Sequence, residues 1–198
     1  MKLLLHVCCA PCSLMCIETL AAEGIEPALY WYNPNIHPFT EYRSRRDCLS
    51  GYAKSLNLAL VVEDEYGLRH FIGGLRETGR AEAADAVPGA DESSAFRFPG
   101  RCAFCYRLRL EKAAAAAKEG GFDAFSTSLL ISPYQDHELL KKTGRAAAVK
   151  YGVEFLYRDF RPFFREGQAK ARAAGLYAQN YCGCVFSEEE RYLPAKTE

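Results

Sequence analysis

Short apolar runs alternate with longer amphipathic stretches along nearly the whole chain, and this alternation limits the fold more than any other feature. Lys2 to Val7, Ile25 to Tyr32, Leu58 to Glu63, Phe122 to Ser128 and Val153 to Tyr157 read as strands. Ala10 to Glu23, about Thr40 to Leu56, Tyr66 to Thr78, Arg101 to Gly120, Pro133 to Tyr151 and Pro162 to Gly175 read as helices. Strands interleaved with helices in this way predict an α/β fold, a parallel sheet flanked by helices. Pro, Gly, Ser and Asp accumulate toward Gly100, so an irregular loop is expected over about 79–100, delivering the chain to Cys102. With 198 residues, 49% of them hydrophobic, the chain can bury one substantial core, and a single catalytic domain over 1–198 is expected.

Nine cysteines would suit a disulfide framework in a secreted protein. The run after Lys2 is too short for a signal-peptide core and no small-residue cleavage site follows it, so a reducing cytoplasmic setting is expected. There, clustered cysteines point to metal binding or thiol chemistry. The apolar runs also fall short of a membrane span, and no membrane partner is expected.

The cysteines fall into three motifs. Cys8-Cys9-Ala10-Pro11-Cys12 occupies the turn from the first strand into the first helix, where parallel α/β sheets place ligand sites and where a helix amino terminus favours thiolates. Three cysteines in five residues are more than core filling supplies. Cys102-x-x-Cys105 presents two sulfurs from one helical turn and, alone, suits zinc, iron–sulfur or thioredoxin-like use. Beside Cys8 and Cys9 it completes a four-thiolate site. Zinc competes for such a site, but adjacent cysteines suit the spread corners of a cluster better than one small tetrahedral ion. Cys182-Gly183-Cys184 reads as a separate dithiol able to release two electrons as it closes, or as two further ligands. Cys12 is placed to contact the cluster or a second metal, an additional iron, whereas Cys16 and Cys48 read as packing. No glycine-rich nucleotide motif follows the first strand, so ATP use has no support.

Charge is balanced at 25 basic and 25 acidic residues, and nothing at whole-chain level requires a polyanionic partner. Locally, Arg97, Arg101, Arg107 and Arg109 lie within an acid-free stretch from Ala95 to Leu110. Arg158 to Arg172 holds five basic residues against two acidic ones. Both stretches adjoin cysteine motifs, where positive potential would steer a phosphate-bearing substrate; a solvated surface is the plainer alternative.

Six motifs in order resemble the cobalamin-independent, iron–sulfur epoxyqueuosine reductase family. They are His6-Val7-Cys8-Cys9-Ala10-Pro11-Cys12, Tyr32-Asn33-Pro34-Asn35-Ile36-His37-Pro38, Arg101-Cys102-x-x-Cys105 with Arg107 to Lys112, Leu129 to Tyr134 with Asp136-His137, Tyr157 to Arg161, and Gln179 to Cys184. The resemblance spans nearly the whole chain and is weakest from Glu77 to Gly100. It implies a fold related to the HUP and adenine-nucleotide alpha hydrolase-like group. It also implies a 4Fe-4S cluster on Cys8, Cys9, Cys102 and Cys105, a redox-active disulfide between Cys182 and Cys184, and the final step of queuosine synthesis on tRNA, with an external electron donor.

Under that resemblance Tyr32, Asn33, Asn35, His37, Tyr134, Asp136 and His137 are candidates to line the substrate pocket, and Arg101 and Arg158 to meet tRNA phosphates. The Asn-Pro-Asn loop also fits a simple turn, and Asp136 with His137 a helix cap. The acid that protonates the leaving oxygen is left open among His37, His137 and the tyrosines. Two other functions share the cysteine pattern: a cluster-dependent reductase of a small molecule such as a sulfonucleotide, and a non-catalytic zinc-binding RNA module.

Overall fold

The computed structural model describes residues 1–85, 96 and 100–193. Five parallel strands form one sheet: β1 (Leu3–His6), β2 (Ala28–Trp31), β3 (Leu60–Val62), β4 (Ala124–Thr127) and β5 (Glu154–Phe155), in the order β3-β2-β1-β4-β5. β1 is central, with His6 opposite Tyr30 on one side and Thr127 on the other. It is buried on both faces, which is why Leu3-Leu4-Leu5 is a continuous apolar run rather than an alternating one.

Among the described residues seven α-helices connect and cover the strands: α1 (Ala10–Ala22), α2 (Phe39–Ser55), α3 (Leu68–Asp85), α4 (Gly100–Glu119), α5 (His137–Tyr151), α6 (Phe164–Ala173) and α7 (Val185–Tyr192). α1 packs on α2 and α6, and α4 packs on α3 and α5. With the right-handed crossovers usual for parallel strands, this strand order requires the two groups to lie on opposite faces of the sheet. Small residues set the close contacts. Ala113, Ala114 and Ala117 of α4 are buried, and a Cβ at Gly144 of α5 would come within 2.4 Å of the Phe155 ring.

The parallel sheet and the elements flanking it agree with the sequence pattern, with several local differences. α3 continues to Asp85 rather than ending at Thr78. The remainder of the expected loop, apart from Phe96 and Gly100, lies outside the described residues. The stretch after β4 is a 3-10 turn, Ser128–Ile131, and α5 starts only at His137. Cys182-Gly183-Cys184 does not follow the last helix, because α7 begins directly after it. Among the described residues no helix is long and apolar enough to cross a membrane.

The strand order changes direction between β1 and β4, and in such sheets the crevice at their carboxyl ends is the natural ligand site. Cys8 and Cys9 lie at the end of β1, beside Ser128 at the end of β4.

Candidate active site

Cys9 is the N-cap of α1, its sulfur accepting from the Cys12 amide at 3.3 Å. The helical turn brings Cys12 back beside the vicinal pair, so the sulfurs of Cys8, Cys9 and Cys12 all lie within 4.8 Å of one another. This triad is able to hold a metal ion. Thiol hydrogen bonds from Cys12 and Cys9 pull the Cys8 thiol well below the usual range, helped by Arg109 and Arg45. Burial pushes Cys9 up, and Cys12 is raised chiefly by its hydrogen bond to Cys8. The triad thus sets one lowered thiol beside two raised ones. From outside, the Gln179 amide donates to Cys9 Sγ and Cys12 Sγ, both at 3.1 Å.

The second motif arrives on α4. Cys102 is half-buried, its thiol raised to about 11 by burial, whereas Cys105 is buried in a small second core with Phe71, Leu75, Phe104 and Cys184. One turn on, Arg109 is 1% exposed. Its Nε donates to the Cys105 carbonyl at 3.3 Å, and its Nη2 has no hydrogen-bond partner. Among the described residues no carboxylate pairs with it. The groups that feel its charge include Cys105, Cys182, Cys8, Cys102, Tyr106 and His6. Buried charges are normally paired, so a solitary guanidinium among sulfurs calls for negative charge on those sulfurs.

The third motif is clamped in place. Arg45 on α2, also 1% exposed, pairs through Nε with Glu41 at 2.6 Å. It donates from Nη1 to the Cys182 carbonyl at 2.9 Å and from Nη2 to the Tyr181 carbonyl at 3.0 Å. Glu41 also accepts from the Tyr177 hydroxyl. The His37 amide donates to the Gly183 carbonyl at 2.7 Å, and the Tyr181 hydroxyl to the His37 carbonyl at 2.5 Å. Gly183 has φ +144°, and a Cβ there would meet Ile36 at 3.2 Å and Arg45 Nη1 at 3.4 Å. Only glycine combines that backbone with that closeness. Cys182 is exposed and Cys184 buried, and both are free thiols. The Tyr106 hydroxyl donates to Gln135 Oε1 at 2.8 Å, and Gln135 Nε2 approaches Cys182 Sγ at 3.6 Å.

The remaining candidates divide by exposure. Asn33, Asn35 and His37 are buried: Asn33 donates to the Val7 carbonyl at 2.9 Å, and His37 Nε2 to the Pro34 carbonyl at 3.0 Å. Their loop forms the bed on which the Cys182 segment lies. Asp136 caps α5 by accepting from the Leu139 amide at 2.9 Å. His137 is 6% exposed, with Nε2 on the Ser132 carbonyl at 3.2 Å. Tyr134 stands 81% exposed. Arg158 pairs with Glu23, and Arg101 with Glu190 at 2.6 Å. Arg109, expected near phosphate from its neighbourhood, is instead interior.

Sequence reasoning passed over Arg45, Gln135 and Gln179 as contributors. The i,i+4 spacing of Glu41 and Arg45 was the available signal for the first. The two glutamines sit inside quoted or bracketing motifs but carry no distinctive chemistry of their own.

Burial holds the His37 imidazole neutral, lowering it to about 4. An unfolded histidine takes up a proton near pH 6.5, so between about pH 6.5 and 4 the unfolded chain binds a proton that the fold does not. His37 therefore contributes full stability above about pH 6.5 and loses it as pH falls toward 4. Urea unfolding at about pH 7 and about pH 5.5 is expected to show a drop about 1 kcal/mol smaller in His37→Gln than in the unsubstituted protein.

A family model described as epoxyqueuosine reductase QueH matches residues 3–190. Relatives bearing that description include one from Dehalococcoides mccartyi, 34% identical over 191 residues, covering 96% of this chain and 94% of the relative. One from Thermotoga maritima is 34% identical over 192 residues, covering 95% and 91%. Among solved structures, a predicted subunit of tRNA methyltransferase from Methanocaldococcus jannaschii is similar at a TM-score of 0.46 and 13% identity, over 86% of this chain and 74% of that one. By the family match and the full-length relatives, the chain belongs to the epoxyqueuosine reductase QueH family and is an oxidoreductase.

Proposed function

We propose that the chain reduces the epoxide of epoxyqueuosine in tRNA to the alkene of queuosine, the final step of that modification, in the cytoplasm. The observation that carries this is the sulfur triad of Cys8, Cys9 and Cys12 at the sheet's switch point, with Cys105 and Cys182 near enough to buried Arg109 to feel its charge. The donor set is all sulfur, and the unpaired guanidinium is suited by an anionic thiolate-bound centre. Cys8, Cys9, Cys102 and Cys105 would hold a 4Fe-4S cluster, with Cys12 toward an additional iron. Such a centre supplies Lewis acidity and electron transfer when bound.

The chain's own thiols meet the redox demand. Converting an epoxide to an alkene and water consumes two electrons and two protons. Closing the dithiol of Cys182 and Cys184 to a disulfide releases two of each. Exposed Cys182 faces the site with Gln135 at its sulfur, and Arg45 holds the carbonyl behind it. An external reductant then reopens the disulfide. For tRNA, exposed Tyr134 offers a ring to a base, and the basic residues from Arg158 to Lys170 suit the phosphates.

Anaerobic purification with iron, sulfide and zinc analysis tests the centre. Iron and sulfide in near-equal amounts, lost in Cys102→Ala, are expected, followed by conversion of an epoxyqueuosine-bearing RNA. Stoichiometric zinc without sulfide after reconstitution would overturn the proposal in favour of a structural metal module.

A further inference from the structure

We propose that a cleft of about 110 Å³ between α1 and α6 seats the hydroxylated, epoxide-bearing ring of the modified base, and that Gln168 and Arg172 are the residues that read it. The inference rests on the reductase function proposed above and names its substrate site.

The cleft adjoins the sulfur triad. Cys12 and Gln179 line it, and Gln179 Nε2 also touches Cys9 Sγ at 3.1 Å. A ring lodged here lies beside the cysteines rather than across the protein from them. The opposite end of Gln179 is informative too, because its Oε1 is buried and has no hydrogen-bond partner. A buried acceptor left without a donor is costly, and a substrate hydroxyl supplies the missing hydrogen bond.

The lining chemistry narrows the ligand. Ile131 and Phe164 provide apolar walls, whereas the polar groups are the amides of Gln168 and Gln179 and the guanidinium of Arg172. Among the described residues no carboxylate lines the cleft, so it is not built for a cation. Amides that both donate and accept match a neutral carbocycle bearing several oxygens.

Helix α6 is fixed against α1 while presenting these groups. Gly167 lets it approach Met15, where a Cβ would come within 2.9 Å of Cγ, and Lys170 bridges to Glu18 at 2.5 Å and to Glu166 at 3.0 Å. Gln168 and Arg172 are one turn apart on the same face. Neither side chain makes a hydrogen bond or ion pair within the described residues. At the rim, Tyr134 stands 81% exposed, edge-on to Phe164 with ring centroids 5.8 Å apart. An exposed ring braced in this way is a platform for the base that carries the substituent.

The test uses anaerobically prepared, iron-loaded protein and two RNA hairpins, one carrying epoxyqueuosine and one unmodified. Ala178→Trp fills the cleft from an exposed position, and the double substitution Gln168→Ala, Arg172→Ala removes the reading groups from a solvent-facing side. Unsubstituted protein is expected to bind the modified hairpin more tightly than the plain one. In both variants that preference should collapse, with KM for the modified hairpin raised roughly tenfold or more and iron content unchanged. If the unsubstituted protein converts the RNA while the double variant keeps both KM and the binding preference, the cleft is not the substrate site, although the reductase function stands. If iron-loaded unsubstituted protein converts no RNA, the function fails and the assignment of this cleft fails with it.

Discussion

Cys182→Ser is expected to lower multiple-turnover reduction of an epoxyqueuosine-bearing RNA by about a thousandfold or more while leaving the fold and the iron content intact. The size follows from electron accounting. A lone Cys184 thiol has no partner with which to release an electron pair, and serine cannot replace the missing sulfur. The fold should tolerate the change, because Cys182 is exposed and its sulfur makes one long contact, from Gln135 at 3.6 Å. Cys184→Ser should abolish turnover equally, with a small stability cost from placing a hydroxyl beside Phe71, Leu75 and Phe104. The measurement is steady-state conversion under anaerobic conditions with a chemical reductant in excess. Turnover at an undiminished rate in Cys182→Ser would mean that the reductant feeds the proposed metal centre directly, and the dithiol would lose its assigned role.

The fold was legible where local pattern and tertiary environment agree. β1 is apolar throughout because both its faces are covered, and α4 combines alanine-rich helix preference with small buried residues. α7 was not legible. Its eight residues, Val185–Tyr192, include Ser187 and three consecutive glutamates, and its place is fixed by distant partners such as Glu190 with Arg101. The site divides in the same way. Sulfur announces itself in sequence, so the three cysteine motifs were visible, as was the helix-cap alternative for Asp136. Burial of an arginine does not announce itself. Arg109 belongs to a basic stretch that looks like surface, and it turns inward because the sulfurs around it suit a positive charge. Asn33, Asn35 and His37 were named from the family resemblance; their loop lies beneath the Cys182 segment, and each side chain keeps one buried polar atom without a hydrogen-bond partner.

Arg45→Met is expected to destabilise the protein by about 3–5 kcal/mol, a large share of a typical domain's stability. The substitution keeps most of the buried apolar stem but strips three interactions at once: the ion pair to Glu41 at 2.6 Å and the hydrogen bonds to the carbonyls of Cys182 and Tyr181. Glu41, only 8% exposed, is left as a buried charge without its cation. Arg45→Lys should recover only part of the loss, because one ammonium cannot reproduce a planar fork reaching a carboxylate and two carbonyls. Adding Glu41→Gln to Arg45→Met separates the two contributions. It removes the unpaired charge, so the double variant should regain at least about half of the lost stability in urea unfolding. It does not restore the donors to the Cys182 segment. Alkylation of Cys184, buried at 8% exposure in the intact fold, should therefore remain faster than in the unsubstituted protein by about tenfold in both variants. If the double variant recovered stability and slow alkylation together, Arg45 would serve only to neutralise Glu41, and the dithiol would be held by the glycine turn and the His37 amide alone.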